Sequence, residues 1–133
     1  MSVAAETYSL VSMRHGDFAR LLENAELGPR MSAPFSIFMD KHEVTLTLDA
    51  TDLGTMRHAL RDAKIVGGFR LLTFETELDL SVVGFLAEVT RILAEARVAI
   101  IAMSAFSRDH ILVQQSDLAS ALKALGPHVA ELC

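Results

Sequence analysis

The sequence predicts an α+β fold, and the order of apolar patterns along the chain is the basis of that prediction. Residues 69–113 run as strand, glycine-containing turn, amphipathic helix, strand, tight turn and strand, and a second amphipathic run follows. This order is most of a βαββαβ unit, the layout of ferredoxin-like domains. A fainter copy of the pattern lies in the first half. We therefore predict two ferredoxin-like units side by side, with antiparallel sheets and helices on one face.

The helix predicted over residues 83–96 is the clearest in the chain. Its apolar residues recur at helical spacing, while charged residues between them face water. Strands are predicted over residues 69–76, 98–103 and 111–113. Asp117 opens a last helix that ends at the Gly-Pro pair of residues 126–127, and residues 129–133 are predicted to be a short strand or a tail. The apolar stripe of the clearest helix comprises Phe85, Leu86, Val89, Ile92, Leu93 and Ala96.

The first half shows the same alternation less regularly. Strands are predicted over residues 8–13, 35–39 and 42–48; in the last of these, residues 44, 46 and 48 face the core and residues 43, 45 and 47 face water. One helix is predicted to begin at Asp17 and another at Thr51 or Asp52. The inward residues of the first helix are predicted to be Phe18, Leu21, Leu22 and Ala25.

Residues 65–68, Ile-Val-Gly-Gly, are the one candidate boundary between the halves, and they are predicted to form a turn. The predicted units are residues 1–66 and 67–133. Each unit is one strand short of a complete βαββαβ set, and a half of this size would be marginally stable alone. The halves are therefore predicted to share strands or sheet edges.

The composition excludes several classes of protein. The net charge is −5 and the 12 basic residues are scattered, so a nucleic-acid partner is not expected. The one cysteine, Cys133, allows no disulfide within the chain. No apolar run approaches the ~20 residues of a membrane span, and the N-terminus lacks the features of a signal peptide. We expect a cytoplasmic protein with no membrane partner.

No pattern of catalytic residues stands out. The chain has no P-loop, no dinucleotide-binding fingerprint and no Gly-x-Ser-x-Gly turn. Its histidines lack the spacing of metal ligands, and Ser81 is better explained as a helix cap than as a nucleophile. We expect no enzymatic activity, no metal and no cofactor. The histidines are His15, His42, His58, His110 and His128.

The turn before the clearest helix is the first candidate site. The first turn of a helix has backbone N–H groups without partners and a positive dipole end, so Val83, Gly84 and Phe85 could hold a carboxylate. Gly84 has no side chain and would let a ligand approach the backbone closely. The alternative is that Gly84 only lets the helix pack tightly on the sheet.

Residues 104–110 form the second candidate site. Asp109 could pair with an ammonium group, or it could be an ordinary hairpin-turn residue. Ser104, Ala105 and Phe106 could offer backbone groups and a hydroxyl to a ligand; alternatively, Ser104 is a strand end and Phe106 belongs to the core. A micromolar Kd needs about −8 kcal/mol, and one charged end contributes only roughly 1.5–3 kcal/mol. Binding therefore requires both candidate sites to face one pocket.

Three stretches of the second half carry a resemblance to a known family. They are Val83-Gly84-Phe85-Leu86, residues 100–113 (Ile-Ile-Ala-Met-Ser-Ala-Phe-Ser-Arg-Asp-His-Ile-Leu-Val), and Asp117-Leu118 with Ala121-Leu122. Together they resemble the ACT domain, and more closely the small bacterial paired-ACT proteins and the cytosolic arginine sensors of animals. The first half matches more loosely. Phe85 stands where the family usually has isoleucine, Ala105 where it prefers threonine, and Ser107 where it often has an acidic residue.

The resemblance implies a function as well as a fold. ACT domains are small ferredoxin-like modules that bind amino acids and regulate enzymes, so we expect an amino-acid-binding regulatory module with no catalytic activity of its own. It also implies that Asp109 contacts the ligand. Such a module would act through another protein or as a homo-oligomer, and the 51% apolar content favours self-association. The alternative is a ligand-free module for protein interaction or dimerisation.

Overall fold

The computed structural model describes residues 1–128, and the chain divides into two compact units. The first unit is Glu6–Gly68, and the second unit is Met1–Ala5 together with Phe69–Cys133. The strands are β1 (Ser2–Val3), β2 (Tyr8–Met13), β3 (Ser36–Met39), β4 (Val44–Asp49), β5 (Lys64–Thr73), β6 (Ile100–Ser104) and β7 (Asp109–Gln114). The helices are α1 (His15–Leu22), α2 (Ala50–Met56), α3 (Phe85–Glu95) and α4 (Leu118–Leu125). Short 3₁₀ turns occupy Ala25–Leu27, Arg57–Leu60, Gln115–Asp117 and Gly126–His128.

In the first unit, β4 lies between β2 and β3, and both pairings are antiparallel. Tyr8 faces Asp49 at one end of the β2–β4 register, and Ser36 faces Thr47 at the start of the β3–β4 register. Thr47 was predicted to face water, but it is buried because β4 is flanked on both sides. The buried core of this unit comprises Val11, Met13, Phe18, Leu21, Val44, Leu46, Leu48, Met56 and Leu60.

In the second unit, the strand order is β1-β5-β7-β6, and all three pairings are antiparallel. Helices α3 and α4 contact one another. Their apolar stripes and the strands enclose a core in which Phe74, Leu93 and Leu125 are fully buried. The prediction of antiparallel strands with amphipathic helices is confirmed.

Several predicted boundaries differ from the structure. Residues 65–68 are not a turn; they lie inside β5, which is 10 residues long. The sequence placed residues 1–66 in one unit, whereas Met1–Ala5 groups with the second unit because Ser2 and Val3 pair with Thr73 and Leu72. This N-terminal strand supplies an edge of the sheet that the local sequence of the second half lacks.

The helix starts and faces were also predicted imperfectly. Helix α1 begins at His15 rather than after Asp17, and Leu22 is 66% exposed because the helix ends there. Asp49, not Thr51 or Asp52, caps α2, since its carboxylate accepts the Asp52 backbone N–H. The predicted packing of Ala25 and the predicted end of the chain at residues 129–133 lie outside the described side chains and residues.

A buried polar cluster in the first unit anchors the loop before β3 to the start of α2. Arg30 donates from its backbone N–H and its Nε to Asp52 Oδ1, at 3.1 and 2.9 Å, and its guanidinium also binds Asp49. Both carboxylates are 2% exposed, whereas the Arg30 side chain is 40% exposed. Carboxylates so deeply buried are stable only when they are paired.

We expect Arg30→Met to lower the stability of the protein, because it leaves the two buried carboxylates of Asp49 and Asp52 without their cation. Urea unfolding at neutral pH measures this change. The matched control is Arg57→Met, because Arg57 is an exposed arginine of the same unit. Equal stability of the two variants would show that Arg30 is not needed to hold the two carboxylates.

Candidate functional site

The pairing of β5 with β7 determines which loops of the second unit meet. Thr73, the last residue of β5, faces His110 in β7. The chain beyond β5 continues along the same hairpin, because the Phe74 N–H donates to the Asp109 carbonyl at 3.0 Å and the Leu78 N–H donates to the Ser107 carbonyl at 2.6 Å. The loop of residues 74–84 is thus held against the β6–β7 turn before it enters α3.

A cavity of about 300 Å³ lies between this loop, the start of α3 and the β6–β7 turn. The structure brings six of the seven predicted site residues to it: Gly84, Phe85, Ser104, Ala105, Phe106 and Asp109. The seventh, Val83, does not line the cavity, and its side chain is 95% exposed. Other lining residues are Leu78, Asp79, Leu80, Val82, Leu86, Ala87, Ser107 and Arg108.

Gly84 is the N-cap residue of α3 and has a left-handed backbone, with φ at +92°. A β-carbon at this position would meet nothing within 4 Å, so tight packing on the sheet is not what requires glycine here. The requirement is conformational, because residues that carry a β-carbon are strained at this φ. The glycine also leaves the first turn of α3 without a side-chain cap, so the N–H groups of that turn can donate hydrogen bonds to an anion.

The predicted capping role of Ser81 is wrong. Its hydroxyl donates to Asp79 Oδ1 at 2.6 Å, and its backbone N–H donates to the same oxygen at 2.8 Å. These two hydrogen bonds hold the pKa of Asp79 below its usual value. The serine therefore shapes the loop before α3 and does not satisfy the helix amides.

Asp109 begins β7 and faces Ser104, the last residue of β6. The turn itself is residues 105–108, closed by the Ala105 N–H donating to the Arg108 carbonyl at 2.9 Å. The Ser104 hydroxyl donates to Asp109 Oδ1 at 2.6 Å, and within residues 1–128 no hydrogen bond reaches Oδ2. Asp109 is therefore a carboxylate held at the cavity by its strand partner, with one oxygen available to a cation.

Arg108 is a cavity residue that the sequence analysis missed. Its Nε donates to the Glu75 carbonyl at 3.1 Å, and its guanidinium also donates to the Ser107 hydroxyl at 3.1 Å. The guanidinium is thereby fixed beside the cavity with further donors to spare. Its position next to Asp109 in a hairpin turn was the only signal, and that signal is weak because arginine is common on surfaces.

The apolar part of the cavity wall has one half-buried and one exposed portion. Phe85 packs edge-to-face on the buried Phe74, with ring centroids 5.5 Å apart. Phe106, by contrast, is 81% exposed, so the alternative that it belongs to the core is wrong. Leu80 and Val82 in the facing loop are also exposed. One part of the wall is therefore an aromatic ring packed against the core. The other part is exposed hydrocarbon, and we call Leu80, Val82 and Phe106 the hydrocarbon rim.

His110 follows Asp109 in β7, beside the cavity, and its Nδ1 lies 2.9 Å from Thr73 Oγ1. Burial lowers the pKa of His110, and Arg108 adds to this effect; the Asp109 and Glu75 carboxylates oppose it. The folded protein therefore favours the neutral imidazole.

Within residues 1–128, no group of three or more His, Cys, Asp or Glu side chains is placed to hold a metal ion. None of the described helices is long and apolar enough to cross a membrane.

Residues 64–126 match the family model of the ACT domain. This ACT match contains every residue of the cavity wall. The resemblance is therefore confirmed for this segment, while the closer likeness to the arginine sensors stays a prediction. No curated protein sequence matches the chain.

Solved structures resemble nearly the whole chain. A protein from Agrobacterium tumefaciens aligns with a TM-score of 0.71 and 18% identity, covering 92% of this chain and 82% of that one. A protein of unknown function from Vibrio cholerae, described as a possible transport protein, aligns with a TM-score of 0.68 and 24% identity, covering 93% and 84%. The ligand-free regulatory subunit of aspartate kinase from Thermus thermophilus aligns with a TM-score of 0.66 and 14% identity, covering 96% and 97%. At these identities the likeness shows an ACT-like fold.

We expect Gly84→Ala to destabilise the protein by roughly 1–2 kcal/mol, because alanine is strained at a left-handed backbone position. Gly54→Ala is the matched control, since Gly54 lies inside α2 and a β-carbon there also meets nothing within 4 Å. That control should gain about 0.5–1 kcal/mol of stability. Thermal unfolding of both variants checks the pair, and a Gly84→Ala variant as stable as the wild type would contradict the assigned strain.

We expect stability to fall as the pH is lowered from 7.5 to 5.5, and His110→Gln to reduce that fall. The folded pKa of His110 lies below its unfolded value of about 6.5, so protons bind the unfolded chain first and favour unfolding. Urea midpoints at three pH values measure this. His58→Gln, at an exposed histidine of the first unit, is the matched control for the loss of one imidazole, and a slope in His110→Gln no smaller than in this control would contradict the prediction.

Proposed function

We propose that the second unit binds one free amino acid in this cavity, and that the protein is a regulatory module with no catalytic activity of its own. The observation that carries the proposal is that the Gly84 turn and the Asp109 carboxylate line the same cavity. An α-amino acid carries an ammonium and a carboxylate on one carbon atom. Its recognition therefore needs an anion-binding group and an acidic group side by side.

In the proposed complex, the ligand carboxylate binds at the start of α3, near the amides that follow Gly84. Arg108 adds a positive charge to the same cavity. The ligand ammonium binds Asp109 at Oδ2, the oxygen that Ser104 leaves available. Ser104 acts as a positioning residue, since its hydroxyl orients the carboxylate without requiring contact with the ligand.

The interactions available to such a complex are of the order of magnitude that binding at micromolar concentration requires. A hydrogen bond to a charged group contributes roughly 1.5–3 kcal/mol, and a partly buried helix N-terminus adds up to ~2 kcal/mol. Two charged ends together with burial of apolar surface bring the binding free energy close to about −8 kcal/mol, the value of a micromolar Kd. Neither end is sufficient alone, which is why the shared cavity matters.

The comparisons support a regulatory role. The cavity lies inside the segment that matches the ACT domain, and one structural neighbour is described as the regulatory subunit of aspartate kinase. We propose that this protein signals through a contact with another protein or through a homo-oligomer, in the cytoplasm, with no nucleic-acid or membrane partner.

A second candidate function is a ligand-free interaction module. The observation that favours it is the exposed apolar surface around the cavity, to which Leu80, Val83 and Phe106 contribute. Exposed apolar patches mark protein interfaces as well as ligand grooves. In this case, the same residues would be covered by a second copy of the chain.

We expect Asp109→Asn to weaken amino-acid binding by about 10- to 100-fold, because it removes one charge-assisted hydrogen bond of roughly 1.5–3 kcal/mol. Titration calorimetry with the 20 common amino acids finds the ligand, and the variant is then titrated with that ligand. Asp62→Asn, at an exposed carboxylate of the first unit, should bind as the wild type does.

Absence of binding by every amino acid at millimolar concentration would contradict the proposed function. Sedimentation of the same preparations then tests the second candidate. A concentration-dependent dimer that Phe106→Asp abolishes would support the ligand-free module.

A further inference from the structure

We infer that the ligand of this cavity is an amino acid with an uncharged hydrocarbon side chain, and that Leu80, Val82 and Phe106 form its side-chain subsite. The inference rests on the proposed function, because it assumes that an amino acid binds there. It goes further by assigning the class of side chain. Its basis is the set of lining groups that remain once the ligand carboxylate and the ligand ammonium have been assigned their partners.

The charged groups of the cavity wall are few. They are Asp79, Arg108 and Asp109. Asp109 is assigned to the ligand ammonium, and Arg108 adds to the positive charge that faces the ligand carboxylate. Only Asp79 remains to face a charged ligand side chain.

Asp79 is already used by its own loop. Its Oδ1 accepts two hydrogen bonds from Ser81, one from the hydroxyl and one from the backbone N–H. Side-chain bonds of this kind, two residues along the chain, are the means by which aspartate stabilises turns. Asp79 Oδ1 therefore has a local role, and its other oxygen is the one lining carboxylate group besides Asp109 that an arginine or lysine side chain could reach, so lysine as a ligand and Asp79→Asn test that contact.

Most of the remaining wall is hydrocarbon, and three of its apolar side chains are exposed. Leu80 is 73% exposed and Val82 is 48% exposed in the loop, and Phe106 projects from the opposite hairpin turn. Three apolar side chains on two facing segments gain free energy when another hydrocarbon group covers them. A polar or charged ligand side chain would gain no hydrogen bond from these three residues and would not benefit from covering them.

The size of the cavity also limits the ligand. About 300 Å³ is at the lower end of small-molecule pockets, which run from roughly 300 to 1,000 Å³. A single amino acid with a side chain of several carbon atoms suits this volume. Larger ligands, such as nucleotides or peptides, would extend well beyond it.

A homologous ligand series tests the inference by calorimetry on the full-length protein. Alanine, 2-aminobutyrate, norvaline and norleucine have the same charged ends and differ by one methylene at each step. We expect the affinity to rise about three- to fourfold per methylene, as hydrocarbon burial predicts. Lysine is the matched comparison for norleucine, since it adds an ammonium to a chain of the same length, and it should bind at least tenfold more weakly than norleucine.

Variants locate the subsite. Val82→Thr replaces a methyl group with a hydroxyl at similar volume, and it should weaken norleucine binding more than alanine binding. Val66→Thr makes the same change at an exposed strand position of the first unit and should leave both affinities unchanged. Melting temperatures of both variants verify that they are folded.

The outcomes distinguish failure of the hydrocarbon subsite from failure of the proposed function. Equal affinity across the series, or lysine binding tighter than norleucine and lost in Asp79→Asn, would overturn the hydrocarbon subsite while leaving an amino-acid site in place. If no member of the series and no common amino acid binds, the proposed function itself fails.

Discussion

The hydrogen-bonded pairing of β5 with β7 is the constraint on which the candidate site depends. It places Thr73 opposite His110, and the ladder continues past the end of the strand through the Phe74 and Leu78 amides. Only 11 residues separate β5 from α3, so the N-terminus of α3 lies beside the turn that follows β6. Two groups about 25 residues apart in sequence, Gly84 and Asp109, meet because one strand register is satisfied. A register shift of one residue would exchange the faces of the strand and remove the meeting point.

Sequence patterns predicted the parts of the molecule that regular secondary structure controls. The apolar stripe of α3 is unambiguous, and Gly84 could be singled out because it precedes that stripe and would let a ligand approach the helix amides; its left-handed backbone was not predicted. Ser104 and Asp109 could be singled out by the strand–turn–strand pattern and by the ACT resemblance. Irregular backbone gave no comparable signal. The path of the loop before α3 is determined by contacts with a hairpin distant in sequence, and therefore Leu80 and Arg108 were missed.

The error at residues 65–68 has a related cause. Two adjacent glycines usually mark a turn, but here they lie within a long strand. A β-carbon on Gly67 would approach the Ser9 hydroxyl oxygen at 3.0 Å, so the small residue is explained by close contact with β2. Gly68 has φ at +83°, a conformation that favours glycine. The sequence indicates that glycine is needed at such positions. Only the pairing between strands distant in sequence shows whether the reason is a turn or close contact with a neighbouring strand.

In the first unit, the start of α1 contacts a hairpin turn. His15 is the first residue of α1, and its Nε2 lies 2.6 Å from the Asp40 carbonyl oxygen of the β3–β4 turn. The Asp40 carboxylate accepts the backbone N–H groups of His42 and Glu43, and these bonds lower its pKa. The start of α1 and the β3–β4 turn are therefore joined by a hydrogen bond, and the Asp40 carboxylate stabilises its own turn. In the second unit Asp109 lies at the start of β7 rather than in the turn, and Ser104 of the neighbouring strand donates to its Oδ1.

The exposed hydrocarbon rim connects the two functions considered for the second unit. Leu80, Val82 and Phe106 are in contact with water, and each 100 Å² of apolar surface removed from water contributes about 2.5 kcal/mol. A ligand that covers part of the rim from inside the cavity changes how much apolar surface remains for a protein partner. Ligand binding and protein contact at this rim are then thermodynamically linked, and the linkage is reciprocal. A module of this kind needs no catalytic residue to transmit a signal, because occupancy of the cavity alone alters the surface that a partner meets.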